Sequence, residues 1–196
     1  QCTIKTNLMK WILAKDAADV QIKTKIKNIH ELELSAFGTA KIFVDVDVPS
    51  LKAIAVDSSQ IETVGKAEHQ KINLEFKARY NGQNCQAKTI DVEASQNSIY
   101  QGFITKDDDE RNVAVVTLQD RAQGLIKGNI YQLIYSCPCK HSLEVIGLVT
   151  HLQRNIKIDS KHELLYRYSE DLEIAFESEK FIKTLQKKQN KKYLRL

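Results

Sequence analysis

The chain has 196 residues, 42% of them hydrophobic and 28% charged, enough for one domain with extensions or two very small ones. No run reaches the roughly 18 to 20 apolar residues of a membrane-spanning helix, and four cysteines in a chain this long make no convincing disulfide framework, which favours a reducing compartment. The formal net charge of +4 is too small for a globally basic nucleic-acid binder.

No signal-peptide pattern opens the chain, although a start at Gln1 leaves a missing leader open. Asn7 to Lys15, with Leu8, Trp11 and Ile12 on one side, predicts a short amphipathic helix capped by Asn7. Trp11, the only tryptophan, is read as a plug against one end of the core or as a partner anchor. Val20 to Ile29 alternates, with Val20, Ile22 and Ile26 inward and Lys23, Lys25 and Lys27 outward. Such a lysine stripe protects an edge strand or touches phosphates. Glu31 to Ala36 continues the β pattern. In Lys41 to Val48 the residues Ile42, Val44, Val46 and Val48 face inward, and Asp45 and Asp47 form the wet face. Pro49-Ser50 is expected to end that strand, Lys52 to Val56 to form another, and Ser58 to Gln70 to be a loop or short helix.

Lys71 to Val92 predicts a hairpin. Ile72, Leu74, Phe76, Ala78 and Tyr80 share a face, and Asn81-Gly82 is the favoured two-residue turn. That register sets Glu75 opposite Lys88 and Phe76 opposite Ala87, with a bulge or bend further out. Ser95 to Arg111 is expected to be a long connection. Its acidic run Asp107-Asp108-Asp109-Glu110 lacks the spacing of a calcium loop and is either solvated or a contact for a basic protein partner.

Val113 to Leu118 is apolar on both faces, as a doubly buried strand is. A short segment between Gly124 and Gly128 follows, then a strand from Ile130 to Tyr135, a loop at Cys137-Pro138-Cys139-Lys140-His141 and a strand from Leu143 to Leu152. The phrase Leu125-x-x-Gly128-x-x-Tyr131-x-Leu133, with a returning Leu143-x-Val145, resembles the second half of an OB-fold barrel of the replication protein A and telomere-end type. The resemblance covers about forty residues. It implies a mainly β, Greek-key barrel spanning residues 1–155 with an N-terminal extension, followed by a C-terminal helical segment over 156–196.

Within that segment Ser160 and Glu163 form a capping box. Ser169 is expected to cap a longer helix carrying Leu172, Ala175, Phe176, Ile182 and Leu185. Residues 179–196 hold seven basic residues and one acid, a charge of +6, which leaves −2 for the rest. No internal repeat is evident.

Cys137, Cys139 and His141 are the most suggestive metal-ligand cluster, with Cys85 or His151 as a fourth ligand. The spacing departs from the usual zinc pattern, so no metal and no cofactor is expected. No nucleophile elbow, phosphate loop or paired acid–base motif occurs, so an enzyme is not expected. Direct binding of single-stranded nucleic acid would use Tyr80, Tyr100, Tyr131 and Tyr135 with Lys77, Arg79 and Lys140. The sparse aromatics and the −2 body favour a protein-docking role instead. Trp11, Asp107 to Glu110, Leu172, Phe176, Ile182 and Leu185 would then meet other subunits, and the basic tail would meet nucleic acid. The resemblance implies a nuclear adaptor of a telomere or single-strand-handling complex, or a cytoplasmic protein if it misleads. A β-sandwich interaction protein unrelated to nucleic acid is the further alternative.

Overall fold

A computed structural model describes residues 9–105, 111–136, 143–154 and 169–176. Thirteen strands and no helix occur among the described residues, so none is long and apolar enough to cross a membrane as a helix. The strands are β1 (Trp11–Ala14), β2 (Asp19–Lys27), β3 (Glu31–Ala36), β4 (Lys41–Ala55), β5 (Gln60–Leu74), β6 (Arg79–Ala87) and β7 (Thr89–Ala94). They continue as β8 (Ile99–Ile104), β9 (Val113–Leu118), β10 (Gln123–Gly128), β11 (Ile130–Ser136), β12 (Leu143–Arg154) and β13 (Ser169–Phe176).

The pairing is parallel throughout, apart from β13 on β12. Lys41 pairs with Gln60, Gln60 with Arg79, Arg79 with Ile99 and Ile99 with Gln123. Each step returns the chain to the same place after 19 to 24 residues. That is a β-solenoid, a stack of coils in which each strand sits on its counterpart one turn earlier. One face runs through β1, β3, the second half of β4 and of β5, β7, β9, β11 and the end of β12; the other runs through β2, β4, β5, β6, β8, β10 and β12. At about 4.8 Å per rung the stack is roughly 34 Å long.

The sequence supports this because alternation repeats in register from coil to coil. Ile12, Leu34, Ala53, Ile72, Val92 and Val116 form one inward column, and Leu32, Leu51, Gln70, Ile90, Ala114 and Leu133 form the next. Nearly all of these are fully buried apolar groups. Stacking like on like lets β-branched and aliphatic side chains pack without voids between rungs. Full burial of such a side chain is worth about 1.5–3 kcal/mol, and a single coil has no partner with which to realise it.

The turn that closes each coil is also repeated. AKDAADV, AFGTAKI, AVDSSQI, LEFKARY, ASQNSIY and LQDRAQG begin at Ala14, Ala36, Ala55, Leu74, Ala94 and Leu118. The third residue of each (Asp16, Gly38, Asp57, Phe76, Gln96, Asp120) has φ between 57° and 73°. The fifth is Ala or Ser, and its N–H closes the turn on the carbonyl three residues back. Alternate N–H groups then reach the preceding coil, as from Lys77 to the Asp57 carbonyl at 2.7 Å and from Asn97 to the Phe76 carbonyl at 2.8 Å. Ser59, fully buried, donates to the Ala36 carbonyl at 2.9 Å and accepts from the Val56 N–H at 3.0 Å, welding two turns together.

Several expectations are overturned. The expected OB-like Greek-key barrel is a parallel solenoid, because its strands pair with the previous coil instead of folding back. The hairpin over 71–92 does not form: Gly82 lies inside β6, and Lys88 meets Glu68 at 3.9 Å, not Glu75. The expected loop or helix at 58–70 is mostly β5, and the connection after Ser95 contains β8. Polar residues there face solvent on alternate positions of strands whose other face is buried. Pro49 does not end a strand but sits at the corner within β4, between the paired Val48 and Ser50. The described part of the expected N-terminal helix is β1, with Ile12 and Ala14 buried and Trp11 and Leu13 outward, a period of two. Ser169 to Phe176 is a strand, antiparallel to β12, where a capped helix was expected. Residues 177–196, with Ile182, Leu185 and the basic tail, lie outside the described residues, as does the capping box at Ser160 and Glu163.

Other expectations match. β3 and β9 span the residues read as strands, β11 and β12 begin at Ile130 and Leu143 as expected, and β2 carries its exposed lysines at the first rung of its face, with Lys25 3.5 Å from Asp45.

Candidate functional site

Two aromatic residues decide how the middle coils are filled. Tyr80 and Tyr100 occupy the same inward column, 1% and 0% exposed, with their rings stacked at 5.7 Å and 6°. Space for them comes from Gly82 and Gly102, one inward position further on. A methyl group at Gly102 would lie 2.0 Å from the Tyr100 hydroxyl, and one at Gly82 would lie 2.7 Å from the Tyr80 ring. One coil later the sizes exchange, with Gly124 below Tyr100 and Ile126 below Gly102.

The Tyr80 hydroxyl bonds to Thr63 at 2.8 Å and donates to Gln70 at 3.3 Å, and the Gln70 amide reaches the Cys85 carbonyl and sulfur, each at 3.4 Å. Burial, then the neighbouring Cys85, pushes the Tyr80 phenol well above its ordinary value, and burial also raises that of Tyr100. Burial pushes the Cys85 thiol up to about 11. These groups are neutral and inert at physiological pH, the opposite of an activated nucleophile. A raised folded-state pKa means that the stability is intact below the ordinary value near 9 and is lost as pH rises through 11. For Cys85 the loss amounts to about 2–3 kcal/mol. Urea midpoints should therefore fall between pH 9 and 11, and less steeply in Cys85→Ala; equal slopes in the two proteins would refute this.

The outer surface offers the binding geometry. The turns stack into a ladder along the solenoid, and the described recess of about 260 Å³ on it is lined by Asp57, Ser58, Phe76, Lys77, Gln96 and Asn97. These are the third and fourth turn residues of three successive coils. Phe76 is 45% exposed and holds φ 63°, a conformation that costs a bulky side chain about 1–2 kcal/mol. Asp57 accepts a hydrogen bond from the Gly38 N–H at 3.3 Å, and Asp120 does the same for Gln96 at 3.3 Å. An aspartate at this position thus caps the turn before it. A second recess, of about 250 Å³, lies where Gly124 follows Tyr100, beside Gln101, Gln123 and Glu144.

The residues singled out from sequence do not converge. Lys77 and Arg79 are exposed on one coil, whereas Tyr80 is core and offers no face to a base. Tyr131 packs edge-on against His151 at 4.6 Å beneath Arg111 at 5.2 Å, two coils away, and Tyr135 packs against the core. Trp11, 57% exposed, stands on the first rung as neither helix nor plug. Asp107 to Glu110, Lys140 and the Cys137, Cys139 and His141 cluster lie outside the described residues. Leu172 and Phe176 fall on β13. Among the described residues no three His, Cys, Asp or Glu side chains gather as metal ligands.

A family model described as "Putative auto-transporter adhesin, head GIN domain" matches residues 1–101, more than half of the chain and most of the regular coils. The chain belongs to this family. No curated protein and no solved structure matches it. Membership of the head GIN domain family replaces the resemblance to replication protein A and telomere-end proteins, which rested on a Gly-x-x-Tyr phrase that the solenoid uses differently. Gly128 has φ 112° and lies against the Ile104 carbonyl as one strand end meets the coil before. The nuclear location, the nucleoprotein subunits and the nucleic-acid contact of the basic tail fall with that resemblance. The head GIN domain signal that sequence reading missed is the turn phrase recurring every 19 to 24 residues.

Proposed function

We propose that this chain is a binding module of the cell surface or of a secreted protein, and that it acts by adhesion rather than by catalysis. The observation that carries the reading is the family match joined to the fold: regular rungs make a stiff shaft whose turns and outer faces present side chains at fixed spacing. Such quasi-one-dimensional stacks serve as extended contact surfaces. The interaction role without nucleic acid survives from the sequence reading, now on a solenoid instead of a sandwich.

The buried polar groups support the same view. Thr63, Tyr80, Gln70 and Cys85 are spent on each other inside the shaft, and burial keeps the phenol and thiol protonated. The test is display of the chain on a non-adherent bacterium. Retention on abiotic surfaces, on immobilised polysaccharide and protein, or on like cells should rise several-fold over a host displaying an unrelated β-domain. Equal retention on all of them would contradict the proposal.

A further inference from the structure

We infer that the recess around Phe76 is a saccharide site, taking a neutral hexose or N-acetylhexosamine ring. This rests on the adhesion reading for the presence of such a ligand, and on the turn ladder for its geometry. In the other described turns the left-handed position holds Asp, Asn, Gly or Gln, residues that are small or polar. Phe76 alone puts an aromatic ring there, exposed to nearly half its area, in a conformation that bulky residues avoid.

Its surroundings suit a sugar. A pyranose presents a face of C–H groups and a rim of hydroxyls. The Phe76 ring supplies a flat apolar surface, and the coils on either side, about 4.8 Å away, supply a carboxylate at Asp57 and an amide at Gln96. Ser58, Lys77 and Asn97 form a second row one residue further on. Together they offer donors and acceptors along both rims of the ring. Ser58, Lys77, Gln96 and Asn97 make no side-chain hydrogen bond or ion pair among the described residues, so these groups are free to meet hydroxyls. Asp57 and Lys77 offset each other, which favours a neutral ligand over a polyanion. One aromatic ring among five polar residues is too little apolar surface to anchor a protein partner.

The intact chain is to be screened on an array of neutral hexose and N-acetylhexosamine oligosaccharides alongside acidic ones, and the hits titrated by calorimetry. Phe76→Tyr should keep the affinity, and Phe76→Asn should lower it at least tenfold. Because asparagine tolerates positive φ, Phe76→Asn should leave the thermal midpoint unchanged or raise it, which separates lost binding from lost folding. Unchanged affinity in Phe76→Asn, binding of acidic oligosaccharides only, or an array with no hits would each overturn the assignment. With an empty array and intact retention in the display experiment, the recess assignment fails and the adhesion reading stands. If both are negative, both fail.

Discussion

Gly102→Ile is expected to destabilise the solenoid by about 3 kcal/mol or more, and adding Tyr100→Gly in the same chain should restore a large part of the loss. The Cβ introduced at residue 102 would lie 2.0 Å from the Tyr100 hydroxyl and 2.6 Å from the adjoining ring carbon. The ring has nowhere to go, since it is fully buried and stacked on Tyr80. Tyr100→Gly alone should cost about 3–5 kcal/mol through the cavity it leaves. The double variant copies the next coil, where Gly124 and Ile126 fill the same two columns. A double-mutant cycle on urea midpoints should give a coupling of about 2–3 kcal/mol in favour of the pair. Additive losses would mean that the two columns do not share one volume.

Gly128→Ala should be at least as damaging, by about 3 kcal/mol or more, because it combines a positive φ with a backbone collision. Its Cβ would meet the Ile104 carbonyl oxygen at 1.9 Å, and Gly147 repeats the arrangement one coil on, against the Gly128 carbonyl at 1.9 Å. Neither obstacle is a side chain that can swing away. Each coil touches only its neighbours, so the damage should be local. Hydrogen exchange followed by mass spectrometry should show faster exchange in β10, β11 and the start of β12, with β3 to β5 protected as before. A uniform loss of protection along the chain would show that the stack melts as one unit, and no change would show that the contact is not needed.

The two predictions share a cause that also explains what was legible beforehand. Alternation is a property of one strand, so β2, β3, β9 and the first half of β4 could be read from their own residues. Pairing direction is a property of two. An inward apolar column looks the same whether the neighbour runs parallel or antiparallel, and Asn81-Gly82 has the residues of a hairpin turn although Gly82 serves to make room for the ring of Tyr80. The helix expected from Ser169 shows the same limit, since its apolar spacing suits a strand once β12 offers an open edge.

The site was less legible still. Alternation places Phe76 inward with Ile72, Leu74, Ala78 and Tyr80, and those four neighbours are indeed buried. Only the left-handed turn, which reverses its neighbours' alternation for one residue, brings it outside. Tyr80, whose ring type suits stacking on bases, is instead the filling of the core.

By itself the sequence determined that the chain is mostly strand, which faces of several strands are apolar, and that the body has no strong charge field; these depend on neighbours two residues apart. Tertiary structure decided that the chain coils instead of closing, where the glycines serve the tyrosines, and which turn residues share a surface. Those depend on residues about twenty positions apart, brought to one rung spacing by hydrogen bonds that any backbone can make, so the recurring turn phrase is their one trace in the side chains.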